Sequence, residues 1–197
     1  MPELDQIPLV LASSSRHRKC LLQRLGLDFV CASPAIDETA LPEETPEALC
    51  RRLAEAKARK LADRYEQAVI IGSDQVVVCN GQLFGKPGNA DAAVAQLLQA
   101  SGQEVLFLTS VSLLRLPDGY CVTETVPCRV VFKELDRDSV TRYVQREQPY
   151  DCAGAFKSEG LGIALLQRID CEDPTALIGL PLICLTDMLA REGVQIP

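Results

Sequence analysis

Asp74 and Gln75 interrupt an otherwise apolar run, Ile70-Ile71-Gly72-Ser73-Asp74-Gln75-Val76-Val77-Val78, that has the composition of a strand. A polar group left unpaired away from water costs roughly 2–7 kcal/mol, and an unpaired charge costs more. Asp74 therefore calls for a cation, a metal ion or hydrogen-bond donors beside it. A polar position at a strand edge or bulge is the structural alternative. In an ideal strand Asp74 and Gln75 point to opposite faces, so both touch one ligand only from different subsites or across a bulge, which Gly72 would permit.

Cations that would suit an anionic ligand are spread through the chain. Ser13-Ser14-Ser15 precedes a helical pattern, and hydroxyls and free N–H groups at a helix start favour an anion, with Arg16, Arg18 and Lys19 in the first turn. A serine N-cap with a solvated basic face is the plainer reading of that segment. Lys57 on a later helix and Lys86 in the turn Gly85-Lys86-Pro87 add cationic positions, and together these predict a phosphate cradle. Asp37 and Glu38 lie in a loop between Pro34 and Pro42, and with Asp74 they offer the oxygen donors that a hydrated magnesium ion takes alongside phosphate oxygens. Glu159 sits in the glycine-punctuated segment Ala153–Gly160. Its carboxylate, acceptor-only, complements the N1–H and amine of guanine, above all a cationic methylated guanine, and repels the carbonyls of uracil or thymine.

These residues need elements to position them. The chain has 197 residues, 47% hydrophobic and 24% charged, enough for one domain across residues 1–197 or two lobes around a cleft. A net charge of −7 speaks against a general nucleic-acid or acidic-membrane binder. Nine scattered cysteines without a CxxC pair, and one histidine, predict reduced core thiols in a cytoplasmic protein rather than zinc ligands or a disulfide framework. No leader pattern and no run of eighteen apolar residues predict an unanchored chain. Strands are expected near Pro8–Ala12, Ala68–Val78, Gln82–Phe84, Val105–Leu116, Tyr120–Phe132 and Gly162–Ile169, with hairpins turning at Asn80-Gly81 and Pro117-Asp118-Gly119. Helices are expected after Ser15 and over Thr45–Tyr65, Asn89–Ala100, Asp136–Glu147 and Pro181–Arg191. Interleaved helices and hairpins make an α/β fold with a mixed sheet. Asp173-Pro174 through Gly179-Leu180-Pro181 reads as a structural turn and helix entry.

With Leu11-Ala12-Ser13-Ser14-Ser15, Arg18, Asp37-Glu38, Lys57, Gly72-Ser73-Asp74-Gln75, Gly85-Lys86-Pro87 and Asp173-Pro174 through Pro181, the chain resembles the Maf-like nucleoside triphosphate pyrophosphatases from about Leu9 to Ala190. The resemblance implies an elongated α/β protein, a mixed sheet with flanking helices and two lobes around a cleft. This is an inosine-triphosphatase-like architecture, often a homodimer. It also implies hydrolysis of a small-molecule nucleotide to its monophosphate and diphosphate with a divalent cation, Mg²⁺ or Mn²⁺. Carried over by position, Asp74 matches the catalytic proton acceptor, and Ser13, Arg18, Glu38, Lys57 and Lys86 match residues that handle phosphate and metal, with Glu38 and Asp74 on the metal. Ser73-Asp74-Gln75 and Phe156-Lys157-Ser158-Glu159-Gly160 resemble the branch acting on 7-methyl-GTP, with His17, Gln75 and Glu159 at positions that choose the base and Lys157 near phosphate or sugar. Some members of that branch carry tryptophan where this chain has His17. The alternatives are the same chemistry on dTTP, UTP or another modified nucleotide, and a nucleotide-binding regulator of septum formation and cell division.

Overall fold

The computed structural model describes residues 8–116, 118–194 and 196. In chain order the first half comprises β1 (Leu9–Ala12), α1 (Arg16–Gln23), β2 (Phe29–Ala32), α2 (Pro46–Arg59), β3 (Val69–Cys79) and β4 (Gln82–Phe84). The second half comprises α3 (Ala90–Ala100), β5 (Glu104–Arg115), β6 (Tyr120–Phe132), α4 (Arg137–Glu147), β7 (Leu166–Cys171) and α5 (Leu182–Arg191). The strands form one seven-stranded mixed sheet in the order β2-β1-β3-β5-β6-β7, with β4 added to β3. Its spine is β3, β5 and β6, paired antiparallel along nearly their whole lengths, while β1 and β2 run parallel to the first part of β3.

Alternation along β3 divides the core. Ile70 and Val76 face α2, packing against Ala58 and Leu61 and against Leu49 and Leu53 respectively. Ile71 faces the opposite side with Leu11, Leu113 and Leu185 beneath α1 and α5, and Val77 joins Leu97, Phe107, Phe132 and Val144 beneath α3 and α4. Four of these five α-helices begin at a residue whose side chain satisfies a free N–H group: Ser15, Thr45, Asn89 and Asp136 cap α1, α2, α3 and α4, and Pro46 occupies the first turn of α2.

Gly72 serves close packing rather than the bulge that its freedom would allow. The β3–β5 register is continuous from Val69 to Cys79. A Cβ on Gly72 would meet the Ala54 carbonyl oxygen at 2.1 Å and the Ala58 nitrogen at 2.8 Å, so α2 lies directly on the strand here. Because the obstacles are helix backbone, they cannot turn aside. Gly72→Ala is expected to lose about 3 kcal/mol or more of stability, read as a fall in denaturation midpoint; an unchanged midpoint would contradict this packing.

Several expectations are corrected. β2 was not anticipated, since a four-residue strand at the sheet edge, with Val30 and Cys31 exposed, carries no clear period. The helix expected to reach Tyr65 ends at Arg59, followed by a 3₁₀ turn at Ala62–Arg64. The strand expected over Gly162–Ile169 is a 3₁₀ turn, Leu161–Leu165, followed by β7. Pro117, part of the expected hairpin turn, lies outside the described residues. The cysteines also depart from expectation: Cys20 and Cys31 are exposed, and Cys128 and Cys171 form a disulfide. These two stand directly opposite on β6 and β7, with Cα atoms 4.4 Å apart, a register that a separation of 43 residues conceals in the sequence. Among the described residues, no helix is long and apolar enough to cross a membrane.

Candidate active site

The cleft begins where β3 lacks a neighbour. β1 pairs with β3 only as far as Ala12 opposite Gly72, and the pairing of β3 with β4 starts only at Val77, opposite Phe84 at the end of β4. Between them Ser73–Val76 is paired only on its β5 side, and the chain leaves β1 into the serine loop and β4 into the Gly85-Lys86-Pro87 turn. A cleft of about 670 Å³ opens at this gap, at the carboxyl end of β1, within the range of small-ligand sites. Ser13, Arg18, Glu38, Lys57, Asp74 and Lys86 all line it, as do His17, Gln75 and Glu159.

Lys57 is the hub. The buried stripe of α2 runs through Leu49, Cys50, Leu53, Ala54, Lys57 and Ala58, so its lysine sits on the apolar face and only 6% of it is exposed. Its ammonium is 2.6 Å from Asp74 Oδ1 and 2.7 Å from Glu38 Oε1. Burial raises the Asp74 carboxyl above the ordinary carboxylate value, the neighbouring charges of Lys57 and Arg18 pulling the other way without cancelling it. At Glu38 burial also raises, but the hydrogen bond and charge of Lys57, with Lys86 and Arg18 behind it, leave that carboxyl below its ordinary value. The two acids are thus held apart in acidity, the weaker one deeper in the site, an arrangement that suits a general base beside a more acidic carboxylate. Beneath Asp74, the Cys50 thiol donates to the Asp74 and Leu108 carbonyls, and burial pushes that thiol up to about 11.

On the other side of the gap, Ser13 Oγ accepts from the Ser15 amide and Ser15 Oγ accepts from the Arg18 amide. The N–H groups of Ser14, Arg16 and His17 meet no protein acceptor among the described residues and are free for an anion. Arg18 donates through Nε to the Gly179 carbonyl at 2.8 Å, which leaves its terminal nitrogens available. Burial lowers the Arg18 pKa, and Asp74, Cys50 and Glu38 oppose that. Lys86 is exposed on its turn, close enough to Glu38 to act on its charge.

The base-reading candidates separate. His17 Nδ1 lies 2.8 Å from Glu159 Oε1, so α1 and the loop before β7 meet across the cleft. That loop is held by α4: Tyr143 Oη accepts from the Lys157 amide, and Glu147 accepts from the Leu161 amide. Lys157 donates to Glu147, not toward phosphate or sugar, and does not line the cleft. Gln75, with no bulge to turn it, points away from Asp74 and spends its amide on Thr109 Oγ1 and the Ala176 and Leu177 carbonyls. Asp37 accepts from the Thr39 amide and lies outside the cleft lining.

Several positioning groups carry no local signal of their role in the sequence. Ser73 Oγ donates to the Gly179 carbonyl, the same oxygen that holds Arg18. Asp173 fixes this segment, one oxygen accepting from Thr175 and the other from the Ile183 and Cys184 amides at the start of α5. The structural turn expected at Asp173–Pro181 thus also holds a cationic residue of the cleft. Asp151 and Cys152 line the cleft as well, with no pattern around them to announce it.

This fold and its edge cleft define an α/β protein of inosine-triphosphatase-like architecture: the Staphylococcus aureus Ham1 protein superposes with a TM-score of 0.53 at 15% identity, over 94% of this chain and 99% of that one. The sequence narrows the class. The family model described as Maf-like protein matches residues 8–192, and the chain belongs to that family. Among its relatives are the 7-methyl-GTP pyrophosphatase of Pseudomonas fluorescens, 53% identical over 97% of this chain and the whole of that one, and that of Aromatoleum aromaticum, 50% identical over 96% and 97%.

Proposed function

We propose that this protein is a cytoplasmic nucleotide pyrophosphatase that hydrolyses 7-methyl-GTP to 7-methyl-GMP and diphosphate. The observation that carries the reading is one cleft with Asp74, a buried carboxylate of raised pKa, among cations and free amides, and a second carboxylate, Glu159, that meets His17 across the cleft. The names of the closely related proteins agree with it.

In this reading Arg18, Lys86 and the amides of the serine loop hold the triphosphate, and Lys57 aligns the two acids. Asp74 takes a proton from the water that attacks the α-phosphorus, and diphosphate leaves. Positioning and charge neutralisation supply most of the acceleration. The donor set also suits a hard divalent cation such as Mg²⁺ or Mn²⁺: Glu38 and Asp74 each give one oxygen to Lys57 and keep the other without a protein hydrogen bond among the described residues. Bound there, a cation would polarise phosphoryl oxygens and offset their charge. Beside His17, whose Nδ1 lies 2.8 Å from its Oε1, Glu159 accepts from the N1–H and amine of guanine and balances the positive charge of the 7-methylated ring. Gln75 acts on base choice by holding the Ala176–Leu177 backbone, of which Leu177 lines the cleft.

Comparing 7-methyl-GTP, GTP, dTTP, UTP and CTP with Mg²⁺ tests this reading, with monophosphate and diphosphate as products. Glu159→Gln is expected to lower kcat/KM for 7-methyl-GTP about 10- to 100-fold, the worth of one or two charge-assisted hydrogen bonds, and to spare UTP. Equal losses on both nucleotides would remove Glu159 from base selection.

A further inference from the structure

We propose that His17, Asp151 and Cys152 form a second metal site, selective for a borderline-soft divalent cation of the zinc class, in the cleft wall beside Glu159. A ring nitrogen of His17, a carboxylate oxygen of Asp151 and the sulfur of Cys152 all lie within 4.8 Å of one another. Tetrahedral zinc with its usual bonds to nitrogen, oxygen and sulfur sets these atoms about 3.4–3.6 Å apart. The Cys152 Sγ to Asp151 Oδ1 distance is already 3.5 Å, so closing the site takes an inward movement of the imidazole, whose ring nitrogen lies within 4.8 Å of both.

The supports are in place before any metal arrives. Asp151 and Cys152 sit in a loop tied by the Cys152 amide to the Pro149 carbonyl, by the Gly88 amide to the Tyr150 carbonyl and by the Gly154 amide to the Gly85 carbonyl. His17 is fixed on the first turn of α1, and its Nδ1 meets Glu159, the carboxylate–imidazole pairing that orients histidine ligands in metal sites. The nitrogen–oxygen–sulfur donor set separates this site from Glu38 and Asp74, whose oxygens suit magnesium. Binding converts the Cys152 thiol to a metal thiolate and releases one proton to solvent, with no change of oxidation state. Three protein ligands leave the fourth position open to water or to an incoming ligand, and a cation there narrows the end of the cleft where Glu159 stands.

Titrating reduced, metal-free protein with Co²⁺ in excess Mg²⁺, with no nucleotide present, reads the site directly through the thiolate-to-cobalt charge-transfer band. One equivalent of Co²⁺ is expected to develop the band, and Zn²⁺ to displace it. Cys152→Ser should remove the band, and His17→Gln and Asp151→Asn should each weaken Co²⁺ binding at least about tenfold. Cys20→Ser, which alters an exposed thiol outside the cleft, should leave it intact. Circular dichroism of each variant confirms the fold. No band in the wild type, or a band that survives both Cys152→Ser and His17→Gln, overturns the proposal. Since no substrate enters the measurement, its result is independent of whether the protein hydrolyses 7-methyl-GTP.

Discussion

Asp74→Asn is expected to lower kcat by about 10³-fold or more, with the fold retained and stability at neutral pH equal to or above that of the wild type. The asparagine keeps the size of the side chain and an oxygen for Lys57, but cannot take a proton. The stability half of this expectation follows from the direction of the pKa shift. Burial raises the Asp74 carboxyl in the folded chain, so its ionised form works against folding, and that cost is present once the pH has risen through the folded pKa. A neutral amide escapes it. Activity and thermal denaturation measured on the same preparation check both halves, and a variant with near-normal turnover would remove Asp74 from the chemistry.

Lys57→Met should be nearly as damaging, by a different route. Its ammonium neutralises two carboxylates at once, at 2.6 and 2.7 Å, from a position that water hardly reaches. Without it Asp74 loses the largest influence that opposes burial, and its pKa rises further. The acid limb of the pH–rate profile is expected to move to higher pH, and kcat/KM at neutral pH to fall about 100-fold or more. Breaking one side of a buried ion pair also costs about 3–5 kcal/mol. The loss should be largest above the Asp74 pKa, where the unpaired charge exists, and smaller in acid, where the carboxyl is protonated. An acid limb left in place while activity falls would mean that Lys57 acts on substrate alone and not on Asp74.

How far the sequence discloses this site depends on the range of the interaction. Asp74 stands out because an ionisable residue in an apolar strand violates a local pattern, and Ser13, Arg18 and Lys86 because serines at a helix start and a lysine between glycine and proline have a local meaning. The spacing of Lys57 from Leu49 and Leu53 hints at the apolar face of α2, but only the approach of that helix at Gly72 drives the ammonium onto Asp74. Gln75 looks like a ligand-reading residue in sequence and is held by the Ala176–Leu177 backbone, because no bulge turns it to the side of Asp74. The partnership of Lys157 with Glu147, the Cys128–Cys171 bridge and the grouping of His17, Asp151 and Cys152 all join segments whose register or packing no short pattern encodes. The hairpin signal Asn80-Gly81 and the bounds of Gln82–Phe84 and Tyr120–Phe132 were legible because turn chemistry and alternation are local.

Delivery of water to the α-phosphorus by Asp74 is read by hydrolysing 7-methyl-GTP in ¹⁸O-labelled water and weighing the products. One heavy oxygen is expected in 7-methyl-GMP, none in diphosphate, and neither product from Asp74→Asn above background. Label in diphosphate, release of inorganic phosphate in place of diphosphate, or an unlabelled monophosphate would contradict it.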